Sequence, residues 1–300
     1  MKKNRKNIGF RFLQRCCFAL VLMLCINTGT VYAQDAAKKV KPVKNTFESI
    51  YMMDDQTVMV PVKGTFEFDM QHRFGTVDKG SENLWGIYGP ANIRLGAEYS
   101  PMDRLYIGGG VTKARMQVDL NAKYAILRQT TDDKMPVSLT YFGNIVMDTR
   151  AASNFQNSVD RYSYFNELMV ARKITDKLSL QVAGSLSWFN NVDAFVDSKG
   201  EVQAITNNAN WTVSFVGRYK VTQKGSIILG YDQPLTQNYT NNPHPNICFG
   251  YEVSTSTHAF QFFMGNYDGI LPQYNSVYNN NDYTAGQFLI GFNITKLWNF

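Results

Sequence analysis

Residues 178–188 read LSLQVAGSLSW, with Leu178, Leu180, Val182, Gly184, Leu186 and Trp188 in one phase and Ser179, Gln181, Ala183, Ser185 and Ser187 in the other. A period of two places alternate side chains on opposite faces of a strand. One face of this segment is apolar, the other small and polar. Length then decides the setting. Strands of soluble domains run to about 5–6 residues, whereas a tilted strand needs about 9–11 to cross a bilayer.

The same alternation recurs along the chain. Phe66, Phe68, Met70, His72 and Phe74 alternate with Glu67, Asp69, Gln71 and Arg73, and Trp211, Val213, Phe215, Gly217, Tyr219 and Val221 repeat the pattern. Phe288, Ile290 and Phe292 carry it near the end. Weaker alternations at 92–99, 105–112, 118–128, 137–147, 162–174, 225–232, 247–254 and 258–266 bring the expected strands to twelve. Connections alternate in length, long at 75–91, 148–161, 190–210, 233–246 and 267–287, short at 100–104, 175–177, 222–224 and 255–257. The segment 113–117 falls on the long side yet is short. The reading is an all-β, up-and-down antiparallel transmembrane β-barrel of about 12 strands, with short periplasmic turns and long outer loops. Aromatic residues at strand ends, His72, Phe74, Trp188, Trp211, Trp298 and Phe300, are the expected membrane-interface girdle. Lys296 falls in the outward phase of the last strand, which calls for snorkelling or a bulge.

The N-terminus carries Lys2, Lys3, Arg5, Lys6, Arg11 and Arg15, the apolar run Cys17 to Ile26, and Val31-Tyr32-Ala33 before Gln34. This is the layout of a secretory signal peptide, residues 1–33, cleaved near Ala33. Its apolar run is half the ~20 residues a spanning helix needs. Lipidation at Cys25 would want a small residue where Leu24 stands. Removing six of the 30 basic residues leaves 24 against 24 acids, so the mature chain is formally neutral and nothing in its charge calls for nucleic acid. Only Cys248 survives of the four cysteines, which leaves no internal disulfide and no thiolate metal cluster. Residues 34–60, with Lys38, Lys39, Lys41, Pro42 and Lys44, read as a polar periplasmic tail, and 61–300 as the barrel.

Several segments, NTF at 45–47, QHRFG at 71–75, ANIRLG at 91–96, PVSL at 136–139, HAFQ at 258–261 and GFNI at 291–294, occur in order across the mature chain. Together they resemble an uncharacterised Bacteroidetes-type outer-membrane β-barrel family, domain of unknown function 5777. The resemblance implies a barrel in a Gram-negative outer membrane and no transferable chemistry.

In the polar phase the strands supply Glu67, Asp69, Arg73, Arg94, Glu98, Asp119, Lys123, Glu167, Lys173, Arg218, Lys220, Asp232 and Glu252 as lumen-facing candidates. The signs are nearly balanced. A ring of one sign would suggest ion selectivity, whereas a mixed interior favours an ion-paired plug over a channel. Arg94 and Glu98 lie about 13 Å apart along their strand at ~3.3 Å per residue, so their partners are expected on other strands, first of all the strand holding Glu67, Asp69 and Arg73. His72, His244 and His258 lack metal-ligand spacing, and Ser254, Ser256 and His258 fall in an ordinary turn without a nucleophile elbow. No metal, cofactor or catalytic residue is therefore expected. Gly108-Gly109-Gly110 lies inside a strand and reads as a bend or close backbone approach, with no Lys-Ser or Lys-Thr to make it a phosphate loop. The Asn- and Tyr-rich loop 274–283 suits glycans but equally suits solvated loops. The expected function is a non-enzymatic barrel that passes or binds a small solute. The alternatives are a lipid-acting enzyme and a structural or docking barrel. Expected partners are outer-membrane lipid and, through the C-terminal strand, the barrel-assembly machinery.

Overall fold

The computed structural model describes residues 41–240 and 242–300, so the signal peptide and its cleavage site lie outside the described residues. A small hairpin, β1 (Tyr51–Met52) and β2 (Asp55–Gln56), precedes the barrel. The wall begins with β3 (Thr65–Thr76), β4 (Asn92–Met102), β5 (Leu105–Thr112), β6 (Gln117–Leu127), β7 (Ser138–Asp148), β8 (Tyr162–Lys173) and β9 (Leu178–Phe189). A second hairpin, β10 (Ala194–Val196) and β11 (Val202–Ala204), interrupts it in an outer loop. The wall resumes with β12 (Ala209–Lys220), β13 (Gly225–Pro234), β14 (Asn246–Ser254), β15 (His258–Gly265) and β16 (Leu289–Asn299).

These twelve wall strands form one closed antiparallel barrel, sealed where β16 pairs with β3. Closure leaves no unpaired strand edge, which a lipid environment requires. The expected strand count and up-and-down order both hold. Alternation sets which side each residue takes: along β9, Ser179, Gln181, Ala183, Ser185 and Ser187 are buried while Gly184 and Trp188 are exposed. The outer face is apolar, with Leu120 67%, Phe262 60% and Leu229 54% exposed. Such a belt of exposed apolar side chains belongs against hydrocarbon. Lys296 stays in phase with Ile290, Phe292 and Ile294, and its ammonium reaches Thr257 Oγ1 at 3.4 Å beside the Trp298 ring. The register shift in β16 falls at Leu289/Gly291, at the other end, so Lys296 snorkels.

The reading of residues 34–60 as a periplasmic tail is corrected over its described part. From Pro42, which bridges Thr130 at the periplasmic rim, the chain enters the lumen. Phe47, Met52, Met53 and Thr57 are fully buried there. The hairpin tip lies at Met53-Asp54, and the chain returns to the rim at Gly64, whose N–H donates to Ser100 O at 2.8 Å, before β3 begins. The physical reason is apolar surface. Phe47, Met52, Met53 and Val58 join inward-facing Phe142, Phe165, Met169, Val216, Ile228 and Phe263 in one core inside the barrel. In water that surface would be unfavourable by ~25 cal/mol per Å².

A second segment enters from outside. Between β15 and β16, Tyr267, Ile270, Leu271 and Val277 are buried, and the one-turn helix α1 (Pro272–Asn275) packs against β8 and β9.

Candidate functional site

The lumen-facing candidates sort into a wall network and a set of anchors for the hairpin. In the network, Arg94 donates to Asp69 Oδ2 at 2.9 Å on the neighbouring strand β3, and to Asp119 Oδ1 at 2.9 Å on β6, reached across β5. It also reaches Glu98 Oε1 at 3.1 Å, which corrects the expectation that these two residues are too far apart to pair. Their backbones are distant, but both side chains lean over Gly96. A Cβ there would lie 2.0 Å from Asp69 Oδ2 and 2.4 Å from Arg94 Nη1. Directly opposite, Gly110 pairs with Gly96, and a Cβ on it would meet the Arg94 guanidinium carbon at 2.7 Å. Gly108 likewise makes room for Glu98. The glycine run of β5 is thus the floor on which the guanidinium lies. Glu67 is buried beside the Tyr106 hydroxyl of the same region.

The anchors hold the main chain of the hairpin. Lys123 donates to Ile50 O at 2.7 Å and Thr57 O at 3.1 Å. Arg73 donates to Met53 O at 3.0 Å and Asn293 Oδ1 at 2.9 Å, its guanidinium stacked over Phe263. Arg218 bridges Glu252 of the wall and Glu48 of the hairpin, each at 3.3 Å. Glu252 also accepts from Ser49. Gln181 and Gln261 accept from Val58 N at 2.9 Å and Met53 N at 2.8 Å. Polar wall residues therefore satisfy hairpin backbone groups that burial would otherwise leave unmatched. Glu167 lies with Asp232 and Ser185 around a small cavity under the hairpin tip. At the periplasmic rim Lys173 donates to Lys44 O at 3.3 Å, and Lys220 is half-buried at its strand end.

Hairpin and outer loop meet at Asp54. Its carboxylate accepts from the Tyr267 hydroxyl and from Asn275 Nδ2. Burial, together with the charge of Asp232, pushes the Asp54 carboxyl up to about 7, against the pull of Tyr267. Burial and the carboxylates of Asp232 and Asp54 push Asp55 well up too. Neither contact was legible as a site in the sequence, since the partners are more than 200 positions apart.

Above this latch lies an outer vestibule of about 390 Å³, bounded by the β5–β6 turn and by α1 with the residues that follow it. Arg115 in that turn stacks over Tyr274 and Tyr278, each at 5.1 Å, and Phe189 meets both rings edge-on. Arg115 and Met116 both have positive φ, 54° and 50°, in a tight connection where Asn-Gly would be relaxed. Deeper in the lumen, the cavities beside Arg94 and beside Asp232 measure about 30 and 20 Å³. Each has room for roughly one or two waters.

The interface candidates stand on the outer wall. His72 stacks on Phe292 at 5.1 Å with Phe74 beside it, and Phe66 packs on Trp298 at 5.6 Å. Trp188 bonds Asn190 at 3.1 Å, while Trp211 and Phe300 are exposed at opposite rims. Of the other histidines, His258 Nδ1 contacts Thr257 Oγ1 at 3.1 Å, not Ser254 or Ser256.

Residues 47–298 match the family model described as a membrane-bound β-barrel domain, domain of unknown function 5777. No curated protein matches the chain. Among solved structures, the NanC porin is similar with TM-score 0.48 at 9% identity, over 78% of this chain and 99% of that one. An outer membrane channel from Pseudomonas putida F1 gives 0.46 at 13%, over 80% and 97%. The KdgM porin gives 0.44 at 9%, over 79% and 99%. Likeness at this level says nothing about cargo.

Proposed function

The chain belongs to this family of membrane-bound β-barrel domains, and we propose that it works in the outer membrane as a non-enzymatic barrel that admits a small solute, its lumen closed by its own N-terminal hairpin. The observation that carries the reading is the contact at Asp54, where a segment entering from the periplasmic rim meets one entering from outside. A barrel needing only mechanical stability could fill its lumen with wall side chains, as small barrels do. Here a separate, covalently tethered segment fills it, anchored by hydrogen bonds to at least five wall residues: Arg73, Lys123, Gln181, Gln261 and Asn293. Its connection to the wall runs through the rim, so it can withdraw without breaking a strand pair.

Single-channel recording in planar bilayers tests this. The mature chain should give little steady current, and a variant with residues 46–60 replaced by a short Gly/Ser linker should conduct. Folding of the variant is checked by its heat-modifiable migration. A folded variant that stays silent would overturn the passage reading.

A further inference from the structure

We propose that the outer vestibule binds a small hydroxylated anion, a carboxylate- or phosphate-bearing solute of about monosaccharide size, which deepens the solute reading above and rests on it. Three polar atoms carry the hydroxylated part. Thr112 and Gln117 face each other across the outer end of the β5–β6 hairpin, 4% and 3% exposed. Thr112 Oγ1 and Gln117 Nε2 have no protein partner. Across the cavity Asn275, 3% exposed, gives its Nδ2 to Asp54 and leaves Oδ1 without one. All three residues line the same space. Buried polar atoms are unfavourable until matched, and an amide donor, an amide acceptor and a hydroxyl converging on one cavity are matched together by a ligand with several hydroxyls.

The charge comes from Arg115. Its guanidinium lies over the Tyr274 and Tyr278 rings and makes no ion pair among the described residues, whereas nearby Arg150 is committed to Asp148 at 2.7 Å. Stacking fixes the plane of the guanidinium and leaves its edge donors for a planar or tetrahedral anion. Asp193 and Asp268 also line the cavity, and their charge limits the ligand to one anionic group. The tyrosine faces are taken by Arg115 and by the edge of Phe189, so a flat aromatic solute finds no stacking platform. The volume of about 390 Å³ is in the range of small-molecule sites.

Titration calorimetry on the full mature chain in detergent, with glucuronate, glucose 6-phosphate, glucose and glucosamine as probes, tests the assignment. One or both of the anions should bind about tenfold more tightly than glucose and glucosamine, and which of them does so identifies carboxylate or phosphate. Arg115→Gln should erase that preference without moving the unfolding midpoint. Gln117→Leu should weaken anions and glucose alike, and Arg172→Gln at the periplasmic rim should change nothing. No binding of any probe, equal affinity for anions and glucose, or an anion preference that survives Arg115→Gln would overturn the inference. Current through the hairpin-replaced barrel with no probe bound removes this site and leaves passage standing. Anion binding without current does the reverse.

Discussion

Arg94 is surrounded by Asp69, Asp119 and Glu98, and the two aspartates are each 1% exposed. Removing the cation leaves buried carboxylates facing each other, which for a broken buried pair typically costs about 3–5 kcal/mol. Arg94→Ala should therefore lower the unfolding midpoint in detergent sharply, whereas a hydrated, screened cluster would show almost no change. Gly96→Ala probes the same place from below. Its methyl group would sit 2.0 Å from Asp69 Oδ2, so the carboxylate must shift and the guanidinium with it. A loss of about 1–3 kcal/mol is expected, as for overpacking elsewhere. Gly184→Ala, where a Cβ meets nothing within 4 Å, is the matched control and should be near neutral. At this scale the inward phase of Arg94 and Glu98 was legible from alternation along their strand, but their contact was not. Backbone spacing alone ignores that long side chains converge when the residue between them has no Cβ.

The strands announced themselves because each carries its own period-two signal over eight to twelve residues. The hairpin did not, since its partners are spread over many strands. Two signals were nonetheless present. Phe47, Ile50, Tyr51, Met52, Met53 and Val58 form an apolar cluster just beyond the lysines that made the segment look polar. Phe165, Met169 and Ala171 share the inward phase with Glu167, and apolar residues pointing into a lumen need something apolar to cover them. The occupied lumen also changes what a face test measures. Val182→Arg or Phe215→Arg places a charge on the lipid side and should cost about 2–4 kcal/mol near the midplane. Ser185, on the other face, is 2% exposed beneath the hairpin tip, so arginine there has no water-filled lumen to enter. Ser185→Arg should raise conductance by displacing the hairpin, while Val182→Arg should leave conductance unchanged and lower only the unfolding midpoint.

For the whole molecule the question is what releases the hairpin. Asp54 lies where the two inserted segments meet, and its carboxyl is held up to about 7 from an ordinary 3.8. In the closed barrel it therefore keeps its proton over a range where a hydrated Asp54 would have lost it. Below about 3.8 both forms are protonated and the group favours neither. Between about 3.8 and 7 the closed form binds more protons than the released one, so closure weakens as pH rises. Above about 7 both forms are ionised and this contribution levels off. Asp55, pushed up by burial and by the same neighbours, acts with the same sign. Steady-state current through the mature chain should accordingly rise between pH 4 and pH 7 and then flatten. Asp54→Asn, which is neutral at every pH and keeps an oxygen to accept from Tyr267, should flatten much of that rise while leaving Asp55 to titrate. A current that falls as pH rises, or a rise that Asp54→Asn leaves untouched, would show that the latch at Asp54 does not govern closure.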